Sequence, residues 1–295
     1  MSVCHKHSVI GVLDSGVGGL TVASEIIRQL PKESIYYIGD NKRCPYGPRS
    51  VEEVQSFVFE MVEFLKQFPL KALVVACNTA AAAALTALQE VLSIPVIGVI
   101  HPGARAAIKV TKKEKIGVIG TVGTIKSNMY EKALHELDTY LEVYSHACPT
   151  LATVVENRLE DIAYVTQQVK QALLPLTKED IAYVTQQVKQ ALLPLTKEDI
   201  DTLILGCTHY PLLESYIKKE LGEAVTIISS AEETAIELST ILQHKGILSD
   251  NLNPKHRFFT TGSVLSFEHI AERWLGYHIS VECVHLPMKN ACMHN

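Results

Sequence analysis

The amino-acid sequence predicts an α/β protein made of two pseudo-symmetric α/β domains, each a mainly parallel sheet flanked by helices, with a site between them. Three observations carry this. Short apolar runs alternate with helical periodicities along the chain, the pattern of successive β-α units. The halves open on matching segments, "IGVLDSGVGGLTV" from Ile10 and "IGVIGTVGTIKS" from Ile116, which align Asp14 on Gly120. Each half then delivers a cysteine in the same setting. "ALVVACNTA" ends an apolar run on Cys77 and "TLILGCTHYPLL" ends one on Cys207, each followed by polar residues and a helical pattern.

The elements follow in order. "SVIGVLD", "SIYYIGD", "KALVVAC", "IPVIGVI", "KIGVIGT" and "DTLILGC" are strand-like segments between helical patterns. Ser50 with Glu53 makes a capping box, and Val54, Phe57, Met61 and Leu65 follow at helical spacing. Pro211 sits in the first turn of a helix over "LLESYIKKEL". Ser230 and Glu233 repeat the capping signature ahead of "TAIELSTILQHKG", which ends on Gly246.

One stretch is duplicated. Glu160 to Lys178, "EDIAYVTQQVKQALLPLTK", recurs letter for letter as Glu179 to Lys197. Each copy reads as an amphipathic helix stopped by proline: Ile162, Val165, Val169 and Leu173 before Pro175, then Ile181, Val184, Val188 and Leu192 before Pro194. The interval from Gly120 to Cys207 exceeds that from Asp14 to Cys77, and removing one copy nearly equalises the two. Both copies compete for one place against the sheet, so one is surplus.

At 295 residues, 47% hydrophobic and 20% charged, the chain has an ordinary soluble composition. A net charge of −5 gives no electrostatic reason to expect nucleic acid or an anionic membrane. The lysine-rich run from Lys109 is short and reads as a solvated loop. Seven cysteines without a C-x-x-C pair, and no apolar signal segment at the amino terminus, point to the reducing cytoplasm. No apolar stretch reaches the roughly 18 residues of a membrane span.

A lone cysteine in an apolar neighbourhood is ordinarily inert packing. A pair in equivalent settings invites chemistry. The thiolate is the reactive form, and a helix amino terminus favours it. Asn78 and Thr79, like Thr208 and His209, supply donors at the same helix starts, although each also suits a simple cap. "DSGVGG" adds a third helix start, so a carboxylate substrate fits without an arginine clamp. Asp14 can accept a proton from a substrate ammonium, orient a thiol, or merely cap. Two thiols facing each other across one carbon are suited to removing a proton from one face and returning one to the other, inverting a stereocentre.

"DSGVGGLTV", "YIGDNKRCPYGPRS", "VVACNTA", "IPVIGVIHPGARAA", "IGVIGTVGTIKS" and "LILGCTHYPLL" together resemble the cofactor-independent glutamate racemases, across nearly the whole chain apart from the extra repeat. The resemblance implies interconversion of L- and D-glutamate in the cytoplasm, without pyridoxal phosphate, other cofactor or metal, supplying D-glutamate for peptidoglycan. It implies Cys77 and Cys207 as the opposed thiol pair, assisted by Asp14, Glu156 (in "VVEN") and His209. Substrate contacts would come from Asp14, Ser15, Tyr46, Gly47, Asn78, Thr79, Thr208 and His209. It places residues 1–99 and 226–295 in the first domain and 100–225 in the second, and leaves room for a homodimer. Three departures stand out: Asn41 where threonine is common after "GD", Ala81 where a hydroxyl residue is usual, and the duplication, which separates Glu156 from Cys207 by an additional helix and turn.

Twin cysteines specify the reaction better than the side chain, so racemisation of aspartate or another small substrate is an alternative. From another class, Cys207 and His209 would have to bind metal or a redox partner, but they lack a second C-x-x-C or histidine pair. A third reading is an inactive binding protein, should the duplication spoil the cleft.

Overall fold

The computed structural model describes residues 6–155 and 178–286. Two parallel sheets organise it. The first contains β1 (Val9–Asp14), β2 (Ile35–Gly39), β3 (Leu70–Val75), β4 (Val96–Gly98), β9 (Arg257–Thr260) and β10 (Val281–Cys283), in the order β10-β9-β2-β1-β3-β4. The second contains β5 (Lys115–Gly120), β6 (Glu142–Ala147), β7 (Thr202–Gly206) and β8 (Thr226–Ile228), in the order β6-β5-β7-β8. All six strand-like segments of the sequence overlap one of these strands. Their sequences are continuous apolar runs because helices cover both faces of a parallel sheet, and β1 and β7 are buried at every residue.

Strand order reverses at β1 in one sheet and at β5 in the other. Such a reversal leaves a crevice outside the carboxyl ends of the strands, since the connections to either side depart in opposite directions. The segments following β1, β2, β3, β5, β6 and β7 supply the residues of the site.

The expected domain boundary at 226 differs from the sheet pairing. Thr226–Ile228 pairs with Thr202–Ile204, so β8 belongs to the second sheet. The chain returns to the first sheet only at β9, by way of the helix Ala231–His244. That helix packs on both α1 (Leu20–Gln29) and α4 (Ile100–Val110), and its Glu233 and Glu237 pair with Lys109 and Arg105 of α4.

Local signals hold unevenly. The Ser50–Glu53 capping box forms at the start of α2 (Val51–Leu65), where Val54, Met61 and Leu65 are buried and Phe57 is half-buried. At Ala231–His244 the capping box does not form. Ser230 has helical backbone angles and its side chain caps nothing, while Glu233 is drawn to Lys109 Nζ at 2.7 Å. Pro211 lies in a short 3-10 turn, Tyr210–Leu213, that runs into the helix Glu214–Leu221.

The second copy of the duplicated segment is docked. It forms all but the first residue of the helix Lys178–Leu192, with Val184, Val188 and Leu192 buried and packed toward the helix Glu214–Leu221. Ile181, expected on that buried face, is 41% exposed, because the packed surface begins one turn later. Pro194 follows the helix as its stop. Glu156 and residues Glu160 to Thr177 of the first copy lie outside the described residues. Among the described residues no helix is long and apolar enough to cross a membrane.

Candidate active site

Cys77 lies two residues beyond the end of β3 and is the N-cap of α3 (Asn78–Val91), with its sulfur accepting a bond from Ala80 N at 3.4 Å. Cys207 follows β7 directly. Register ties these ends together: Leu13 pairs with Val75 on one sheet, and Gly120 with Gly206 on the other. Both cysteines are almost fully buried, and both line a single cavity of about 20 Å³. That is room for about one water molecule.

The cavity gathers Ser15, Tyr46, Gly47, Asn78, Thr79, Thr208 and His209 around the two sulfurs. Cys77 Sγ is 3.5 Å from Ser15 Oγ, and Cys207 Sγ is 3.6 Å from His209 Nδ1. Asn78 directs its amide oxygen to Tyr130 Oη at 2.7 Å, and Thr79 Oγ1 is 2.8 Å from Thr121 Oγ1. Tyr46 donates to Asp40 Oδ2 at 2.5 Å, and Arg43 Nε donates to the same oxygen at 2.6 Å. This buried carboxylate thereby fixes the loop that carries Tyr46 and Gly47.

Asp14 occupies a different layer. It is completely buried and does not line the cavity. Its Oδ1 accepts from Gly16 N at 2.9 Å, and its Oδ2 accepts from Thr208 Oγ1 at 3.4 Å, joining the two halves. Glycine permits this approach: a Cβ at Gly18 would fall 2.3 Å from Thr208 Oγ1. Burial raises the Asp14 carboxyl above its ordinary range, opposed by His209 and by backbone and hydroxyl donors.

The expectation that a helix start favours the Cys77 thiolate is overturned. Burial, seconded by the neighbouring Asp14 charge, pushes this thiol up to about 11, outweighing the bonds from Ala80 and Ser15. A sulfur enclosed in a cavity of one water's size loses more hydration than one backbone N–H returns. At neutral pH the Cys77 thiol therefore keeps its proton.

Cys44, Pro45, Thr121 and Ala152 also line the cavity and were missed from sequence. Thr121 had a signal: the alignment that sets Asp14 on Gly120 also sets Ser15 on Thr121. Cys44 and Pro45 stand beside Tyr46 in a motif already singled out, whereas nothing local marks Ala152. Among the described residues no three His, Cys, Asp or Glu side chains gather as metal ligands would. The cavity thus holds one protonated thiol and a second sulfur beside an imidazole, enclosed with hydroxyl and amide groups suited to a small polar molecule.

Comparison with known proteins gives a consistent picture. Residues 10–238 match the Asp/Glu/hydantoin racemase family. The chain is similar to a glutamate racemase of Bacillus cereus, 49% identical over 271 residues that cover 92% of this chain and 94% of the relative. Among solved structures, a glutamate racemase isoform from Bacillus anthracis superposes with a TM-score of 0.88 at 87% identity, covering 97% of this chain and 100% of that one. The glutamate racemase of Francisella tularensis in complex with D-glutamate gives 0.81 at 32% identity, covering 95% and 98%.

Proposed function

The chain belongs to the Asp/Glu/hydantoin racemase family, and from that premise we propose that it interconverts L- and D-glutamate by proton transfer at Cα between Cys77 and Cys207. One observation carries the mechanism: two sulfurs, delivered by equivalent strand ends of two halves, line the same small cavity. The enzyme is an isomerase, and the chemistry is assigned to its side chains without pyridoxal phosphate.

In one direction Cys207 takes the Cα proton, with His209 Nδ1 at 3.6 Å from its sulfur to receive the thiol proton beforehand. Cys77, protonated at rest, returns a proton to the opposite face. The reverse direction exchanges these roles. A substrate α-ammonium entering beside Asp14 would offset the carboxylate charge that holds the Cys77 proton, making that thiol easier to ionise. The amide of Asn78 and the hydroxyls of Ser15, Thr79, Thr121 and Thr208 surround the position where substrate carboxylates and developing charge would lie. Asp14 acts from behind, through Thr208. Glu156 is assigned an assisting role by resemblance alone. The D-glutamate produced would supply peptidoglycan synthesis in the cytoplasm.

Turnover in deuterated water tests the two-sulfur mechanism. Product glutamate should carry deuterium at Cα from the first turnovers while remaining substrate stays largely protiated, because separate groups take and give the proton. Equal early labelling of both enantiomers would indicate one shared base. Circular dichroism with L-glutamate and L-aspartate as substrates checks the side-chain assignment: rapid loss of signal is expected for glutamate alone.

A further inference from the structure

Asn78 has one satisfied end and one free end. Its Oδ1 is bonded to Tyr130, while its Nδ2 is buried with no hydrogen-bond partner among the described residues, in a side chain that lines the cavity. Tyr130 comes from the other half, as the second residue of α6 (Met129–Leu137), and is 2% exposed. Burial drives its phenol well above the ordinary tyrosine range, with Ser230 opposing that rise, so the hydroxyl keeps its proton. A phenol has one hydrogen to give. That hydrogen goes to Asn78, where only Oδ1 accepts, and the NH₂ group is left to the cavity. The tyrosine ring also abuts the strand end that carries Cys207: a Cβ on Gly206 would lie 3.1 Å from its Cε2.

We propose that Tyr130 is a positioning residue which, backed by Ser230, locks the Asn78 amide with its NH₂ toward a substrate carboxylate and in register with Cys207. This rests on the glutamate racemisation proposed above. Without the phenol hydrogen, the two amide orientations become similar in energy, and one of them turns an oxygen toward the substrate carboxylate. The chain therefore uses a residue of its second half to set the polarity of a substrate contact in its first.

The test is steady-state racemisation in both directions, measured first on the unaltered chain. Tyr130→Phe keeps the ring and removes the hydroxyl; KM should rise about tenfold with kcat within about twofold, as loss of an oriented hydrogen bond to a charged group demands. Asn78→Ala should raise KM at least as much, and Tyr130→Phe should add nothing in that background, because the tyrosine acts only through the amide. Ser230→Ala should give a smaller KM increase of the same sign, and it decides the matter if Tyr130→Phe does not fold. An unchanged KM in the variant read, a fall in kcat alone, or independent effects in the double variant would overturn the inference. An unaltered chain that does not racemise glutamate removes the proposed function, and this inference with it.

Discussion

Cys77 and Cys207 occupy equivalent positions, yet their surroundings differ: one sulfur faces Ser15 with Asp14 behind it, the other faces an imidazole. Either cysteine changed to serine should lower racemisation by at least about a thousandfold, since removing a group that reacts directly costs several powers of ten. Circular dichroism of glutamate measures the activity and the unfolding midpoint checks that the fold survives; full activity would take that cysteine out of the mechanism. The raised Cys77 thiol also makes a stability prediction. Its proton is held more tightly in the folded chain, so the contribution is intact below the ordinary thiol value of 9.0 and is lost as pH rises through about 11. Urea unfolding across that window should show a decline that is smaller in Cys77→Ser by on the order of 2 kcal/mol. The comparison of variants is needed because buried Cys148, raised to about 12, titrates over an overlapping range.

At the scale of elements, the docked second copy gives the duplication a definite consequence. Lys178–Leu192 already supplies the apolar face and the turn leading to β7. Deleting Glu160 to Lys178 joins Leu159 to Glu179 and regenerates the same local sequence, so the same helix can dock with one copy fewer to order. Each ordered residue costs roughly 1–2 kcal/mol of backbone entropy, which burial has to offset. Activity should be equal or higher after the deletion and the thermal midpoint higher. A fall in both would make the first copy an integral part of the fold. The two capping signatures differ for a related reason: Ser50–Glu53 forms because both residues are exposed and the cation beside Glu53, Arg49, stands at the same helix start, whereas Glu233 is drawn to a cation on another helix.

In the whole molecule, the halves meet over the site through few bonds. Thr208 reaches Asp14, Thr79 reaches Thr121, Tyr130 reaches Asn78, and Gly123 N donates to Gly47 O at 3.0 Å. A cavity of about 20 Å³ is far smaller than glutamate, so binding has to widen the junction. The energy of these links is then exchanged for contacts with substrate. Glutamate at about 100 times its Kd should raise the unfolding free energy by about 2.7 kcal/mol, the linkage expected of a ligand that binds only the folded chain. Denaturant titrations with and without D-glutamate measure this; no shift at saturating concentration would mean that the substrate does not bind the folded site.

Six of the ten described strands, the pseudo-repeat and the twin cysteines were legible in the chain itself, because these follow from apolar periodicity and from residues adjacent in the chain; β6, β8, β9 and β10 were not. The same local pattern marked Asn78, Thr79, Thr208 and His209, which follow closely on strand ends, whereas Ser15 and Tyr46 came from the family resemblance. Tertiary structure alone decided that Asp14 lies behind Thr208 and off the cavity, that β8 joins the second sheet, and that Ala152 and Tyr130 bear on the site. These depend on how two separate sheets face each other, which no local pattern encodes. The same reason governs the Cys77 proton. A helix start is visible in sequence and favours the thiolate, whereas desolvation depends on everything packed around the sulfur, and here it is the larger of the two.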